Sequence, residues 1–209
     1  MSPEAALNQG LDQLALALPA AERSKILRYL ALLAKWNRTF NLTAIRDPAQ
    51  MVSHHVLDAL AVLRELPSGA LVDVGSGAGV PGIPIAIAQP DRAVTLNDAN
   101  EKKVSFLRQA IIELQLGNCS VYAGRAEAWR PGERFQVVIS RAFAELAKFI
   151  AACRHLVAPD GILAAMKGAD PSEEIRRLDP ACDCSDVRRL HVPLLDAQRH
   201  LVLFRFPAG

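Results

Sequence analysis

The chain has 209 residues, enough for one domain with a small addition, and 51% of them are hydrophobic against 5% aromatic, so an aliphatic core is expected. Its net charge of +2 does not by itself imply nucleic acid; 18 of the 24 cationic residues are arginine, which suits phosphate partners but also follows from a GC-rich genome. No apolar run approaches the roughly 20 residues that span a bilayer, and the N-terminus lacks a charged segment followed by an apolar one, so a cytoplasmic protein without membrane contact is expected.

The first 66 residues read as helical. Leu7, Leu11, Leu14 and Leu18 recur at helical spacing, as do Ile26, Leu27, Leu30, Leu33 and Ala34 after the break at Pro19. A third helix is expected over about 49–66, with Met51, Val52, Val56, Leu57, Leu60 and Leu63 facing inward. Pro67-Ser68-Gly69 then punctuates the chain. Beyond it, short apolar runs at 70–74, 93–97, 119–122, 135–139 and 161–166 alternate with helical patterns near 80–89, 102–115 and 143–157. Strands separated by helices of this length form parallel β-α-β units in a doubly wound α/β sheet. The ending differs. The runs His191–Leu194 and His200–Phe204 leave no room for a crossover helix and should form an antiparallel hairpin around residues 195–199. Four cysteines, including the pair Cys182-Asp183-Cys184, show no finger spacing, so free thiols and no metal site are expected.

Leu71-Val72-Asp73-Val74-Gly75-Ser76-Gly77-Ala78-Gly79-Val80-Pro81-Gly82 is the most informative stretch: a strand that ends in an acid and breaks into glycines, as where backbone is pressed against a nucleotide-like ligand. Gly77-x-Gly79-x-x-Gly82 fits a dinucleotide fingerprint, which leaves an NAD(P)-dependent oxidoreductase as one alternative. Asp73-x-Gly75-x-Gly77-x-Gly79 resembles motif I of S-adenosylmethionine-dependent methyltransferases, with Asp73 acting directly or through water on the ligand's ammonium end; a pyrophosphate would be repelled there. Asp98 ends the second strand, where an acid accepts ribose hydroxyls of an adenosine or caps the next helix. Arg141 follows the fourth strand at the carboxyl edge of the sheet, where active sites of open α/β sheets gather. No acid or Asn followed by Pro-Pro and an aromatic, and no Cys, stands there. Exocyclic-amine and cytosine-C5 methylation are thereby disfavoured.

Several further motifs sharpen the resemblance. Lys35-Trp36-Asn37, Asn41-Leu42-Thr43, His54, the Asp73–Pro84 stretch, Lys102–Leu107, Arg125-Ala126-Glu127, Ile139–Ala144, Met166-Lys167-Gly168, Val192-Pro193 and Arg199–Val202 together resemble the bacterial small-subunit rRNA methyltransferase G family, also called glucose-inhibited division protein B, over about residues 27–206. Asn97 departs from it, since an apolar residue is more usual before the acid. The resemblance implies a Rossmann-like class I methyltransferase. Its mostly parallel seven-stranded sheet would end in an antiparallel hairpin, with residues 1–66 a helical extension packed on a core unit of 67–209. It implies S-adenosylmethionine as cofactor and N7 of a guanine in 16S rRNA near the decoding site as target. The partner would be the small ribosomal subunit or an assembly intermediate, and the protein a monomer. A non-catalytic ribosome- or RNA-binding protein of the same fold is the other alternative.

The implied cofactor residues are Asp73, Gly75, Gly77, Gly79 and Val80 of the first loop, then Asp98, then Ala126 and Glu127 beside the adenine, then Arg141. Arg141 is also the candidate catalytic residue, and Lys167, Arg199 and His200 are the candidate RNA contacts. Guanine N7 carries a free lone pair, so transfer needs alignment and exclusion of water but no general base. Trp36, Phe40 and His54 read first as packing residues, Asn37 and Asn41 as caps or loop fasteners, and Arg176, Arg177, Arg188 and Arg189 equally as a solvated face or RNA contacts.

Overall fold

The computed structural model describes residues 1–178 and 184–206. Helices α1 (Pro3–Gln13) and α2 (Ala20–Phe40) open the chain. The Ser2 hydroxyl caps α1 by accepting the Ala5 N–H at 3.2 Å, with Pro3 in the first turn where its missing N–H is harmless. Asn41, in the left-handed region at φ 50°, ends α2 and donates its N–H to Asn37 O. The expected third helix is broken. A turn of α3 (Pro48–Met51) runs into a π-helical turn at Val52–Leu57, then α4 (Asp58–Leu60) and a 3-10 turn at Leu63–Glu65. The apolar spacing over 49–66 is helical throughout, so hydrophobic periodicity alone did not reveal the change of winding.

The rest alternates as expected: β1 (Leu71–Val74), α5 (Gly82–Ala88), β2 (Val94–Asp98), α6 (Glu101–Leu114), β3 (Cys119–Ala123), β4 (Phe135–Ser140), α7 (Leu146–Cys153), β5 (Val157–Lys167), α8 (Ser172–Arg176), β6 (Cys184–Leu190) and β7 (Arg199–Arg205). The seven strands lie in the order β3-β2-β1-β4-β5-β7-β6. The first five are mutually parallel, and β7 runs antiparallel to both neighbours. The hairpin is there, but its first strand is Cys184–Leu190 instead of the expected 191–194. The strand's Asp186, Arg188 and Arg189 read as a polar surface because β6 is an edge strand, where charges discourage further pairing. His191–Leu194 belongs to the connection. Pro193 lacks a ladder donor, and Leu194 turns at φ 60°.

Alternate residues of each strand face opposite layers. Leu71, Leu96, Val137, Ile139, Ala164 and Leu203 share a core with α1, α2, the π turn, α5 and α6. Val72, Val74, Val138, Leu163, Val202 and Phe204 pack against α7 on the other side. The N-terminal helices are thus one outer layer of the sheet. Tyr29 carries that layer to the site: it is fully buried on α2, and its hydroxyl donates to Ala78 O, inside the glycine loop, at 2.7 Å.

Candidate active site

Two cavities open at the carboxyl edge of the parallel strands. The first, of about 250 Å³, is lined among others by Gly75, Asp98, Lys103, Gly124, Ala126 and Glu127. Gly75 brings the start of the loop between β1 and α5 to its edge. Gly75, Gly77 and Gly79 take φ of 72°, 57° and 84°, a region in which a Cβ is strained. Besides Tyr29, three backbone N–H bonds tie the loop down. Gly77 N–H donates to Asp98 Oδ2 at 2.9 Å, Gly82 N–H donates to Asp73 Oδ2 at 2.9 Å, and Ser76 N–H donates to Asn97 O at 2.9 Å. Val80 is buried at the end of the loop, next to α5.

Asp98 does not cap α6. That role belongs to Asn100, whose Oδ1 accepts from Lys102 and Lys103 N–H. Asp98 instead accepts from Gly77 and Asn100 N–H, one on each oxygen, with Lys103 Nζ 3.8 Å away. Asn97 has a purpose that composition alone did not show. Its amide donates to Tyr122 O at 3.2 Å and Gly124 O at 2.8 Å, lacing the end of β2 to the loop that bears Ala126 and Glu127.

Asp73 is fully buried and stands behind the loop, outside the cavity lining. Its Oδ1 has no hydrogen-bond partner. Burial pushes its pKa up to about 7, against the opposing pull of the Gly82 N–H and the Arg141 charge. Between about pH 4 and 7 the folded protein therefore holds a proton on Asp73 that the unfolded chain has lost, so this residue's contribution to stability falls as pH rises through that window. Asp73→Asn keeps an acceptor for Gly82 and never ionises. Its unfolding free energy should gain on the wild type's as pH rises from 5 to 7.5, by up to about 1.4 kcal/mol per pH unit, and its Tm should rise relative to the wild type's accordingly. Melting curves across that range test it, and a Tm difference independent of pH would show Asp73 to be ionised throughout.

The second cavity, of about 380 Å³, is lined among others by His54, His55, Asp58, Arg141, Lys167 and Arg199. The end of β4 serves both cavities. Ser140 Oγ donates to Val74 O at 2.7 Å and accepts the Ala142 N–H at 3.0 Å, pinning this segment to β1. Ala142 and Phe143 then line the first cavity, and Arg141 lines the second. Arg141 Nη1 donates to His54 O at 2.7 Å and to Asp58 Oδ2 at 3.2 Å. Arg199 Nε donates to Asp58 Oδ1 at 3.1 Å. Lys167 Nζ donates to Ala144 O at 2.6 Å and pairs with Glu174 at 2.7 Å. His200, by contrast, lies nearly buried in β7 with Nδ1 unpartnered.

His55 is buried, with Nε2 3.0 Å from Thr43 Oγ1. Burial, then the nearby Arg141 charge, depress its pKa to about 4, so the imidazole is neutral at physiological pH. Asn37 fastens the loop that bears Thr43: its Oδ1 accepts the Thr43 N–H at 2.9 Å and its Nδ2 donates to Ile45 O at 3.4 Å. Trp36 packs edge-on to Phe106. Arg176 pairs with Glu173, and Arg188 with Asp186 and Glu65. Cys119 and Cys153 are free thiols whose burial pushes their pKa to about 12, and Cys182 lies outside the described residues. Sequence reasoning missed Tyr29 and Asp58. An Asp amid Val56, Leu57, Ala59 and Leu60 was the available signal, because a carboxylate on an apolar helical face needs a cationic partner.

A parallel sheet closed by an antiparallel β7, with a glycine loop after β1 and an acid ending β2, defines the class I methyltransferase fold. Solved structures agree on the fold. TrmN from Thermus thermophilus superposes with a TM-score of 0.54 at 19% identity, over 81% of this chain and 53% of that one. A ribosomal protein L11 methylase from Lactobacillus delbrueckii subsp. bulgaricus does so with a TM-score of 0.54 at 16% identity, over 73% and 77%. The chain belongs to the rRNA small subunit methyltransferase G family, whose family model matches residues 22–202. The ribosomal RNA small subunit methyltransferase G of Methylobacillus flagellatus is 55% identical over 196 residues, covering 94% of this chain and 95% of that one. The protein of the same name from Burkholderia pseudomallei is 51% identical over 207 residues, covering 95% and 89%. The protein is therefore an enzyme, a methyltransferase, and the oxidoreductase and non-catalytic alternatives fall away.

Proposed function

We propose that this enzyme methylates N7 of a guanine in 16S rRNA near the decoding site, acting on the small ribosomal subunit or an assembly intermediate. The observation that carries the proposal is the pair of cavities adjoining at the end of β4, one lined by Gly75 at the head of the glycine loop and by Asp98, the other by Arg141, Arg199 and Lys167. The first suits an adenosyl cofactor. A Cβ built on Gly77 meets no protein atom nearer than Gly75 O at 3.8 Å and Lys103 Nζ at 3.9 Å, so space is kept clear next to Lys103, which lines this cavity. Bound S-adenosylmethionine supplies an electrophilic methyl group on a sulfonium.

The chain's own residues do the rest. Asp98 accepts ribose hydroxyls on its remaining lone pairs. Ala126 and Glu127 border the adenine. Asp73 fixes the loop through Gly82. Arg141, Arg199 and Lys167 hold RNA phosphate, so that N7 approaches the methyl group in line. N7 needs no deprotonation, which accords with a cleft whose one buried imidazole, His55, is held neutral and engaged with Thr43.

The test is radiolabelled methyl transfer to small subunits lacking the modification, with the product nucleoside identified. 7-Methylguanosine is the expected product, and any other nucleoside overturns the proposal. In parallel, S-adenosylmethionine and S-adenosylhomocysteine should each raise Tm by mass action while NADH leaves it unchanged. Stabilisation by NADH alone would contradict the cofactor assignment.

A further inference from the structure

The π-helical turn at Val52–Leu57 does something a regular helix would not. In an α-helix the Asp58 N–H would bond the His54 carbonyl. Here it bonds Ser53 O and His55 O, and the His54 carbonyl accepts from Arg141. Such turns recur at functional sites because they release backbone groups of this kind. The next residue, Asp58, is 1% exposed, and its two oxygens accept separately from Arg141 and Arg199. One buried carboxylate thus joins arginines that leave the sheet at the end of β4 and the start of β7.

A buried ion pair is weak support for stability, and an apolar residue of similar volume would serve packing as well or better. What the carboxylate supplies is orientation. Arg141 Nε and Nη2 and Arg199 Nη2 have no hydrogen-bond partner among the described residues, while both side chains stay partly exposed at the cleft. Three cations, Arg141, Arg199 and Lys167, face two carboxylates, Asp58 and Glu174, so the cleft stays net positive. We propose that Asp58 is a positioning residue that holds Arg141 and Arg199 as a paired guanidinium clamp for one phosphodiester group of the RNA strand carrying the target base. This rests on the rRNA methyltransferase proposal above. Planar forks fixed by a shared carboxylate meet phosphate oxygens with little reorganisation.

The experiment compares wild type, Asp58→Asn, Arg199→Ala and the double variant, measuring kcat and KM for unmodified small-subunit rRNA, S-adenosylmethionine Kd, and the salt dependence of RNA binding. Asp58→Asn should lower kcat about 100-fold, the scale of a misplacement of roughly 1 Å. Its RNA KM should stay within about threefold, because losing the carboxylate strengthens the positive field that draws RNA in. Cofactor Kd should stay within about twofold, and in the Arg199→Ala background the same substitution should cost at least about tenfold less. A cofactor Kd weakened about tenfold or more, with RNA binding intact, would assign the clamp to the cofactor carboxylate and overturn the proposal. Equal losses in both backgrounds would reduce Asp58 to a structural role.

If Asp58→Asn does not fold, Arg141→Lys and Arg199→Lys carry the test. Their effects on the salt slope of RNA binding should be non-additive, and additive effects would overturn a shared phosphate. Absence of methyl transfer by the wild type would strike the functional proposal, while the binding and salt measurements still judge the clamp.

Discussion

Arg141→Ala should lower methyl transfer by orders of magnitude, the largest loss expected from any single side chain of the cleft. The guanidinium lines the second cavity, one residue before Ala142 of the first, held by His54 O at 2.7 Å and Asp58 at 3.2 Å, with Nε and Nη2 left over. Removing it takes away an anion-binding fork and one of the two partners of a buried carboxylate. Because Asp58 would then lean on Arg199 alone, stability should fall as well, and activity must be normalised to folded enzyme by cofactor binding. Arg141→Lys should rescue poorly. An ammonium keeps the charge, but it cannot engage the carbonyl and the carboxylate and still present a planar pair of N–H groups.

The pH series separates positioning from proton transfer. N7 attack consumes no base, and His55 titrates only near pH 4, so activity lost in the Ala and Lys variants should not return as pH is raised from 6.5 to 9. Near-normal rates in Arg141→Ala would remove the residue from the site. Recovery at high pH would mean that a deprotonation limits the rate.

How much of this was legible in the sequence depended on how local each signal was. The parallel strands announced themselves as apolar runs at regular intervals, and the glycine loop as residues only backbone crowding would select. The candidate site residues at strand ends, Asp98 and Arg141, could be placed because the carboxyl edge of such a sheet is a fixed address. Two kinds of feature stayed hidden. The hairpin's first strand was displaced because β6 is an edge strand with Asp186, Arg188 and Arg189 in place of an apolar alternation. The winding of 48–65 was hidden because single α, π and 3-10 turns rotate successive side chains too little over so short a span to break the apolar spacing visibly, while changing which carbonyl each N–H bonds. That choice is what frees His54 O for Arg141. Likewise Tyr29 looked like one more apolar position of α2, and only the fold brings its hydroxyl to Ala78 O, 49 positions on.

Gly77→Ala and Gly79→Ala should separate ligand contact from scaffold within a single loop. At Gly77 (φ 57°) a Cβ finds no protein atom within 3.7 Å, the nearest being Gly75 O at 3.8 Å. The fold then loses only the strain of a left-handed alanine, about 1–2 kcal/mol, a fall in Tm on the order of 5 °C for a chain of this size. The added methyl occupies the space beside Lys103 Nζ, so cofactor affinity should drop roughly 100-fold, about 2.7 kcal/mol. Gly79 (φ 84°) faces inward instead. Its Cβ would overlap the Ile83 side chain, with Cγ1 at 2.8 Å, and press on Leu107 Cδ2 at 3.3 Å. Ile83 and Leu107 are fully buried, so overpacking adds about 1–3 kcal/mol to the backbone strain. Gly79→Ala should therefore lose more stability than Gly77→Ala. Tm without ligand and calorimetric Kd for S-adenosylhomocysteine, measured on both variants, give the answer. If Gly77→Ala binds the cofactor normally, the cleared space beside Lys103 is not where the adenosyl group lies, and the cofactor must enter the cavity from the Gly124–Glu127 side alone.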